Sequence, residues 1–118
     1  MRSERGLPGL AILSFAAVAL TAASCSRESR LSGDRMVSVG SHRLEMSVMG
    51  GGSPAVVIDS GIGDTFDKLK PLQERLSRAT RVVTYNRAGY GRSEPGPLPR
   101  DAGREAEELK ALLEKASV

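Results

Sequence analysis

Two short β-branched runs constrain this chain more than any other feature: residues 55–59 (Ala-Val-Val-Ile-Asp) and residues 81–85 (Arg-Val-Val-Thr-Tyr). Neither alternates polar with apolar, so each is expected to be a strand covered on both faces, as in a parallel sheet. Between them Phe66, Leu69, Leu72, Leu76 and Ala79 recur at steps of three and four, which predicts one apolar helical face. Pro71 lacks the amide hydrogen that a helix interior needs, so the regular helix is expected to begin close to it. Strand, helix and strand over about thirty residues is a βαβ unit with a right-handed crossover. Both strands run straight into glycine-bearing turns, Ser60-Gly61-Ile62-Gly63-Asp64 and Asn86-Arg87-Ala88-Gly89-Tyr90-Gly91.

The flanking segments fit around that unit. Met36-Val37-Ser38-Val39 and Leu44-Glu45-Met46-Ser47-Val48 alternate with period two about Gly40-Ser41-His42-Arg43, the pattern of an antiparallel hairpin. His42, in the turn, is expected to be solvated. Gly50-Gly51-Gly52-Ser53-Pro54 then breaks the chain. After a loop containing Pro95, Pro97 and Pro99, Asp101 is a candidate N-cap for a last helix. Ala102, Ala106, Leu109, Leu113 and Ala116 are expected along its inner side, with Leu112 adjacent.

The N-terminal residues read differently. Arg2 and Arg5 precede an apolar, small-residue run over residues 7–23, as in an export signal. The run ends in Thr21-Ala22-Ala23-Ser24-Cys25, which resembles a bacterial lipobox. That resemblance implies a lipoprotein signal peptide over residues 1–24 and a lipidated Cys25 as the mature N-terminus. The bilayer would be the partner, and the protein would be exported and anchored in the cell envelope on its periplasmic or extracellular face. Residues 25–35 read as a polar tether and residues 36–118 as the folded part.

Composition removes several function classes. Cys25 is the single cysteine, so neither an internal disulfide nor a CxxC metal site is available. The net charge is +3, from 17 basic and 14 acidic residues interspersed without a basic block, and aromatic residues amount to 3%. Nucleic acid is therefore not an expected partner.

Two motifs carry chemistry. In Val56-Val57-Ile58-Asp59-Ser60-Gly61-Ile62-Gly63-Asp64 the glycines let the backbone turn sharply at a strand end and approach a ligand. The segment resembles the strand and oxyanion loop of many α/β-hydrolases, with Ser60-Gly61 where His-Gly or a similar pair is usual. Arg81-Val82-Val83-Thr84-Tyr85-Asn86-Arg87-Ala88-Gly89-Tyr90-Gly91-Arg92-Ser93-Glu94-Pro95 resembles that family's D-R-x-G-x-G-x-S strand end, with Asn86 in place of the usual Asp. Either side chain at position 86 can bond the loop backbone. Arg87 and Glu94 are expected to pair or to bond backbone groups. The resemblance implies a backbone oxyanion donor at Ile62 N–H, with Gly63 N–H as the alternative, because acyl transfer places negative charge on a carbonyl oxygen. It implies no metal and no organic cofactor. A dinucleotide loop is disfavoured, since Phe66 occupies the place of the third glycine and no lysine completes a phosphate loop. A phosphate-binding module built on residues 62–65 stays open as a rival.

The family's nucleophile sits in G-x-S-x-G, followed by an acid and a histidine. Gly91-Arg92-Ser93-Glu94-Pro95 has Pro95 in place of the last glycine, and no strand immediately precedes Ser93, so Ser93 is not expected to be that nucleophile. His42 is the one histidine. No catalytic triad is readable here, and the sequence is expected to be a fragment whose strand at residues 55–59 forms a bare sheet edge. The expected fold class is α/β: a hairpin, then the first parallel strands and two helices of an α/β-hydrolase sheet, an incomplete domain. Complete relatives would hydrolyse esters, amides or related carbonyl compounds, and the chain by itself is expected to be inactive. The alternative is a small non-catalytic lipoprotein that binds a partner through an exposed sheet edge.

Overall fold

The structure, a computed structural model, describes residues 32–118. The lipobox-like segment, the expected signal peptide and Cys25 lie outside these residues. The elements in chain order are β1 (Gly33–Ser38), β2 (Arg43–Met49), β3 (Val56–Asp59), a 3-10 turn (Phe66–Leu69), α1 (Lys70–Leu76), β4 (Val82–Tyr85) and α2 (Ala102–Ala116). The four strands form one mixed sheet in the order β1-β2-β4-β3. β1 and β2 are an antiparallel hairpin in which Val37 faces Leu44. β2 runs antiparallel to β4, with Met46 beside Tyr85. β3 and β4 are parallel and in step from Val56↔Val82 to Asp59↔Tyr85. The α/β class, the hairpin and the parallel pair are as the residue pattern predicted. β1 starts three residues earlier than the alternation marked it: Gly33, Asp34 and Arg35, read from sequence as tether, pair with Val48, Ser47 and Met46.

Alternation along β2 and β4 divides the sheet into two unlike faces. Leu44, Met46, Val48, Val83 and Tyr85 form one buried cluster with Leu112 and Ala116 of α2. Val82, Ser47 and Thr84 belong to the other set of alternating positions, and Gln73 of α1 bonds all three.

Three packing expectations are corrected. β3 is not covered on both faces, since Val57 is 38% exposed; its outer edge, unpaired among the described residues, is the bare edge the sequence predicted. A short apolar run reports β structure but does not report how many layers cover it. The helical stripe also turned outward in part. Phe66 is buried, but Leu72 is 47% and Leu76 36% exposed, while the fully buried residue of α1 is Gln73. The switch from a 3-10 turn to α-helix at Lys70 changes the angular step, so the uniform period that aligned Phe66 with Leu72 and Leu76 does not hold. On α2 Leu109, Leu113 and Ala116 pack on the core as expected, but the most buried line is Glu108, Leu112 and Ala116, and Ala102 and Ala106 are exposed. The predicted N-cap is present: the Asp101 carboxylate accepts from Arg104 N–H at 2.9 Å.

Candidate functional site

Parallel pairing places the ends of β3 and β4 side by side, so the turns that follow them leave the same edge of the sheet. After β3, Asp64 N–H donates to Gly61 O at 3.1 Å, closing a four-residue turn with Ile62 and Gly63 at its centre. Gly63 has φ 86°, the positive value that the third residue of a type II turn requires and that glycine reaches without strain. The turn projects into open space. Ile62 is 87% exposed, and a side chain added at Gly61 or Gly63 would meet nothing within 4 Å. Among the described residues neither Ile62 N–H nor Gly63 N–H donates a hydrogen bond. Ser60, buried beneath the turn, donates from Oγ to Asp64 O at 3.3 Å.

The turn after β4 is held much more tightly. Asn86 N–H donates to Glu45 O (2.9 Å), Gly89 N–H to Glu94 O (3.0 Å) and Glu94 N–H to Arg43 O (2.9 Å). Ser93 is buried and fully committed: its Oγ donates to Asn86 O at 2.7 Å and accepts from Glu45 N–H at 2.8 Å. It is a staple between β2 and the β4 turn.

Arg87 and Glu94 do not pair with each other. Arg87 reaches across to the last residue of β3, with Nε 3.0 Å from Asp59 Oδ1 and Nη2 2.8 Å from Oδ2, and its Nη1 lies 3.6 Å from Glu105 on α2. The bonds from the Asp59 carboxylate raise the Arg87 pKa, so this cation is locked on. Beside it, burial pushes the Tyr85 phenol up to about 12, with Asp59 adding to the shift. Glu94 bonds a backbone group, as expected: its Oε2 accepts from Arg43 N–H at 2.8 Å, and Oε1 takes Arg43 Nη2 at 2.6 Å.

His42 is not solvated as the turn reading supposed. It is 7% exposed, with Nε2 3.2 Å from Glu108 on α2 and Nδ1 3.3 Å from Ser41 Oγ. The Glu108 carboxylate also takes both arms of Arg100, at 2.5 and 2.7 Å, and that pairing holds its pKa below the usual carboxylate range. Hence the one histidine and Ser93 are both built into packing contacts and make no nucleophile–base pair with each other. Sequence reasoning passed over Glu45, Gln73, Arg100 and Glu108, all of which the fold uses in buried polar bonds. The signal available was a polar residue at each of those positions, which is also what a solvated surface looks like.

An α/β-hydrolase from Sphaerobacter thermophilus superposes with a TM-score of 0.58 at 32% identity, covering 70% of this chain and 32% of that one. An enol-lactonase from Burkholderia xenovorans superposes with a TM-score of 0.66 at 22% identity, over 71% of this chain and 34% of the other. The fold resembles the N-terminal part of these α/β-hydrolase structures over about 70% of the chain. Among curated proteins, the uncharacterized protein YqjL of Bacillus subtilis is 32% identical over 69 residues, which is 58% of this chain and 27% of YqjL. No family profile matches the chain. The chain thus spans about a third or less of the α/β-hydrolase structures and of YqjL. In α/β-hydrolase terms, the open turn at Ile62 and Gly63 lies at the carboxyl ends of the parallel strands, where open α/β sheets bind ligands.

Proposed function

We propose that this chain supplies one wall of a serine-hydrolase site for esters, amides or related carbonyl substrates. Ile62 N–H is the oxyanion donor in that reading, and Gly63 N–H the neighbouring alternative. The observation that carries it is the exposed turn with two undonated amides at the ends of parallel strands. Amides fixed in place before reaction stabilise a developing oxyanion without reorganising. The chain by itself is predicted to hydrolyse p-nitrophenyl acetate no faster than buffer, because Ser93 and His42 are held in packing contacts. A chimaera tests the wall itself: residues 32–118 replace the equivalent first third of the enol-lactonase. It should turn over the lactone, and Gly63→Val should cut kcat by roughly a hundredfold or more. A folded but inactive chimaera, or one indifferent to Gly63, removes the reading.

A second reading, a non-catalytic lipoprotein that engages a partner along its sheet edge, is favoured by the unpaired outer edge of β3 and the exposed Val57. A full chain that stays monomeric and melts in one cooperative transition favours this second reading, and association through the edge favours the first. In both, Cys25 is the lipid-bearing residue of an exported, envelope-anchored protein. That part rests on the sequence around Ala22-Ala23-Ser24-Cys25. Labelling cells with a radioactive fatty acid should mark the wild-type protein and not Cys25→Ser, and equal labelling of both refutes it.

A further inference from the structure

The open turn after β3 and the tight turn after β4 meet at one side chain. Asn86 is completely buried, and its Oδ1 accepts from Phe66 N–H at 2.8 Å. Phe66 opens the 3-10 turn that follows the glycine turn, and Thr65, at the cap position, makes no side-chain capping bond. The first amide of that helical turn, buried and without a local cap, is therefore capped by Asn86. The other end of the Asn86 amide donates from Nδ2 to Glu45 Oε2 at 2.8 Å. Glu45 is 5% exposed, and the same oxygen takes Arg92 N–H at 3.0 Å while Oε1 takes Arg92 Nε at 2.6 Å. Arg92 in turn feels Asp34 and Asp67, which Lys70 also bridges at 3.6 and 3.2 Å.

Two groups thus restrict what position 86 can hold. Phe66 N–H asks for an acceptor, and the buried Glu45 carboxylate asks for a donor. An amide is both at once, and a carboxylate is not. Gly91 closes the remaining space: its φ is 53°, and a Cβ there would fall 2.2 Å from Asn86 Nδ2 and 3.1 Å from Glu45 Oε2. We infer that Asn86 and Glu45 are a matched pair that sets the position of the oxyanion turn, with Asn86 a positioning residue acting through Phe66 N–H and Glu45 the group that makes an amide necessary there. The inference rests on the oxyanion reading above for the role of the turn. The match itself stands on the hydrogen bonds.

The test is a swap in the full chain, read without any turnover. Asn86→Asp sets two carboxylates against each other in a buried site, which should lower the thermal midpoint at pH 7 by about 10 °C or more. Lowering the pH through the carboxylate range should restore the midpoint, because protonating either acid relieves the repulsion and supplies the missing donor. The double variant Glu45→Gln with Asn86→Asp exchanges amide and carboxylate and should regain part of the loss at pH 7, since the introduced NH2 donates across the pair but no longer accepts from Arg92 N–H. In NMR spectra the Phe66, Ile62 and Gly63 amide signals should move in Asn86→Asp and return in the double variant. An Asn86→Asp protein that melts like the wild type at every pH overturns the inference, as does a double variant that recovers nothing. Ile62 and Gly63 signals that stay fixed while stability falls overturn the positioning role. Should Asn86→Asp not fold at all, the double variant decides: folded supports the match, unfolded refutes it. Since none of these readouts involves an ester, an inactive chimaera leaves them intact, and their failure leaves the chimaera test standing.

Discussion

Under α2 the sheet presents Leu44, Met46, Val48, Val83 and Tyr85 to Leu112 and Ala116, an apolar contact with no hydrogen-bonding demand on the aliphatic members. On the other set of alternating positions, Ser47 and Thr84 meet the Gln73 amide of α1, which donates to Ser47 O at 3.1 Å and to Val82 O at 3.3 Å and accepts from Thr84 Oγ1 at 3.3 Å. Further along that set, Glu45 bonds Asn86 beside the site. Apolar packing is non-directional and tolerates small shifts, whereas a buried polar layer holds only if each donor finds its acceptor. The polar side also holds the start of the 3-10 turn that follows the open glycine turn, through the bond from Phe66 N–H to Asn86. Directional bonds are suited to setting a position; the apolar side supplies the cohesion.

Four changes would break or sharpen that contrast. The largest effect is expected on the apolar side. Leu112→Ala leaves a cavity at the centre of the cluster and should cost about 2–5 kcal/mol in urea unfolding. A cost near zero would mean that α2 is not what holds the sheet.

The second probes a nearly buried ion pair on the α2 side. Arg100→Ala strips Glu108 of its bidentate partner in a nearly buried position and should cost roughly 1–3 kcal/mol at pH 7. Its pH dependence has a definite sign. Pairing with Arg100 lowers the folded Glu108 pKa, so its contribution is present above the unfolded carboxylate value and is lost as pH falls through the folded one. The gap between variant and wild type should therefore shrink in acid. A gap that widens in acid would contradict the assignment of Glu108 as the group involved.

The smallest effects come from a neighbouring pair on α1. Gln73→Leu removes the amide that serves Ser47, Val82 and Thr84 and should cost about 1–2 kcal/mol despite raising hydrophobicity. Leu72→Gln, one residue away on the exposed side, should change stability by roughly 0.5 kcal/mol or less. Reversed magnitudes would mean that the apolar stripe seen in the sequence, and not the polar layer, faces the sheet.

How far the sequence reaches can be judged on those same residues. The hairpin, both parallel strands, the Asp101 cap and the two glycine turns follow from local rules: alternation, β-branched runs, a capping side chain and positive φ at Gly63. Such signals act over a few neighbouring residues and survive in one dimension. The adjacency of the two turns followed as well, since a short βαβ unit leaves its strands parallel with their ends together.

What the sequence could not decide was the side from which each strand and helix is covered. Leu72 and Gln73 are both helix-compatible, and which one turns inward depended on the 3-10 start of the segment and on partners 26 and 11 residues away, Ser47 and Thr84. His42 and Glu108 looked like solvent-facing residues until α2 was laid against the hairpin turn, 3.2 Å from one to the other. Glu45 and Asn86, 41 residues apart, became a pair through the antiparallel register of β2 and β4. Local propensity is written in the order of residues. The burial and pairing of polar groups are set by long-range packing, where a single donor–acceptor match in a low-dielectric interior outweighs the preference of the side chain for water.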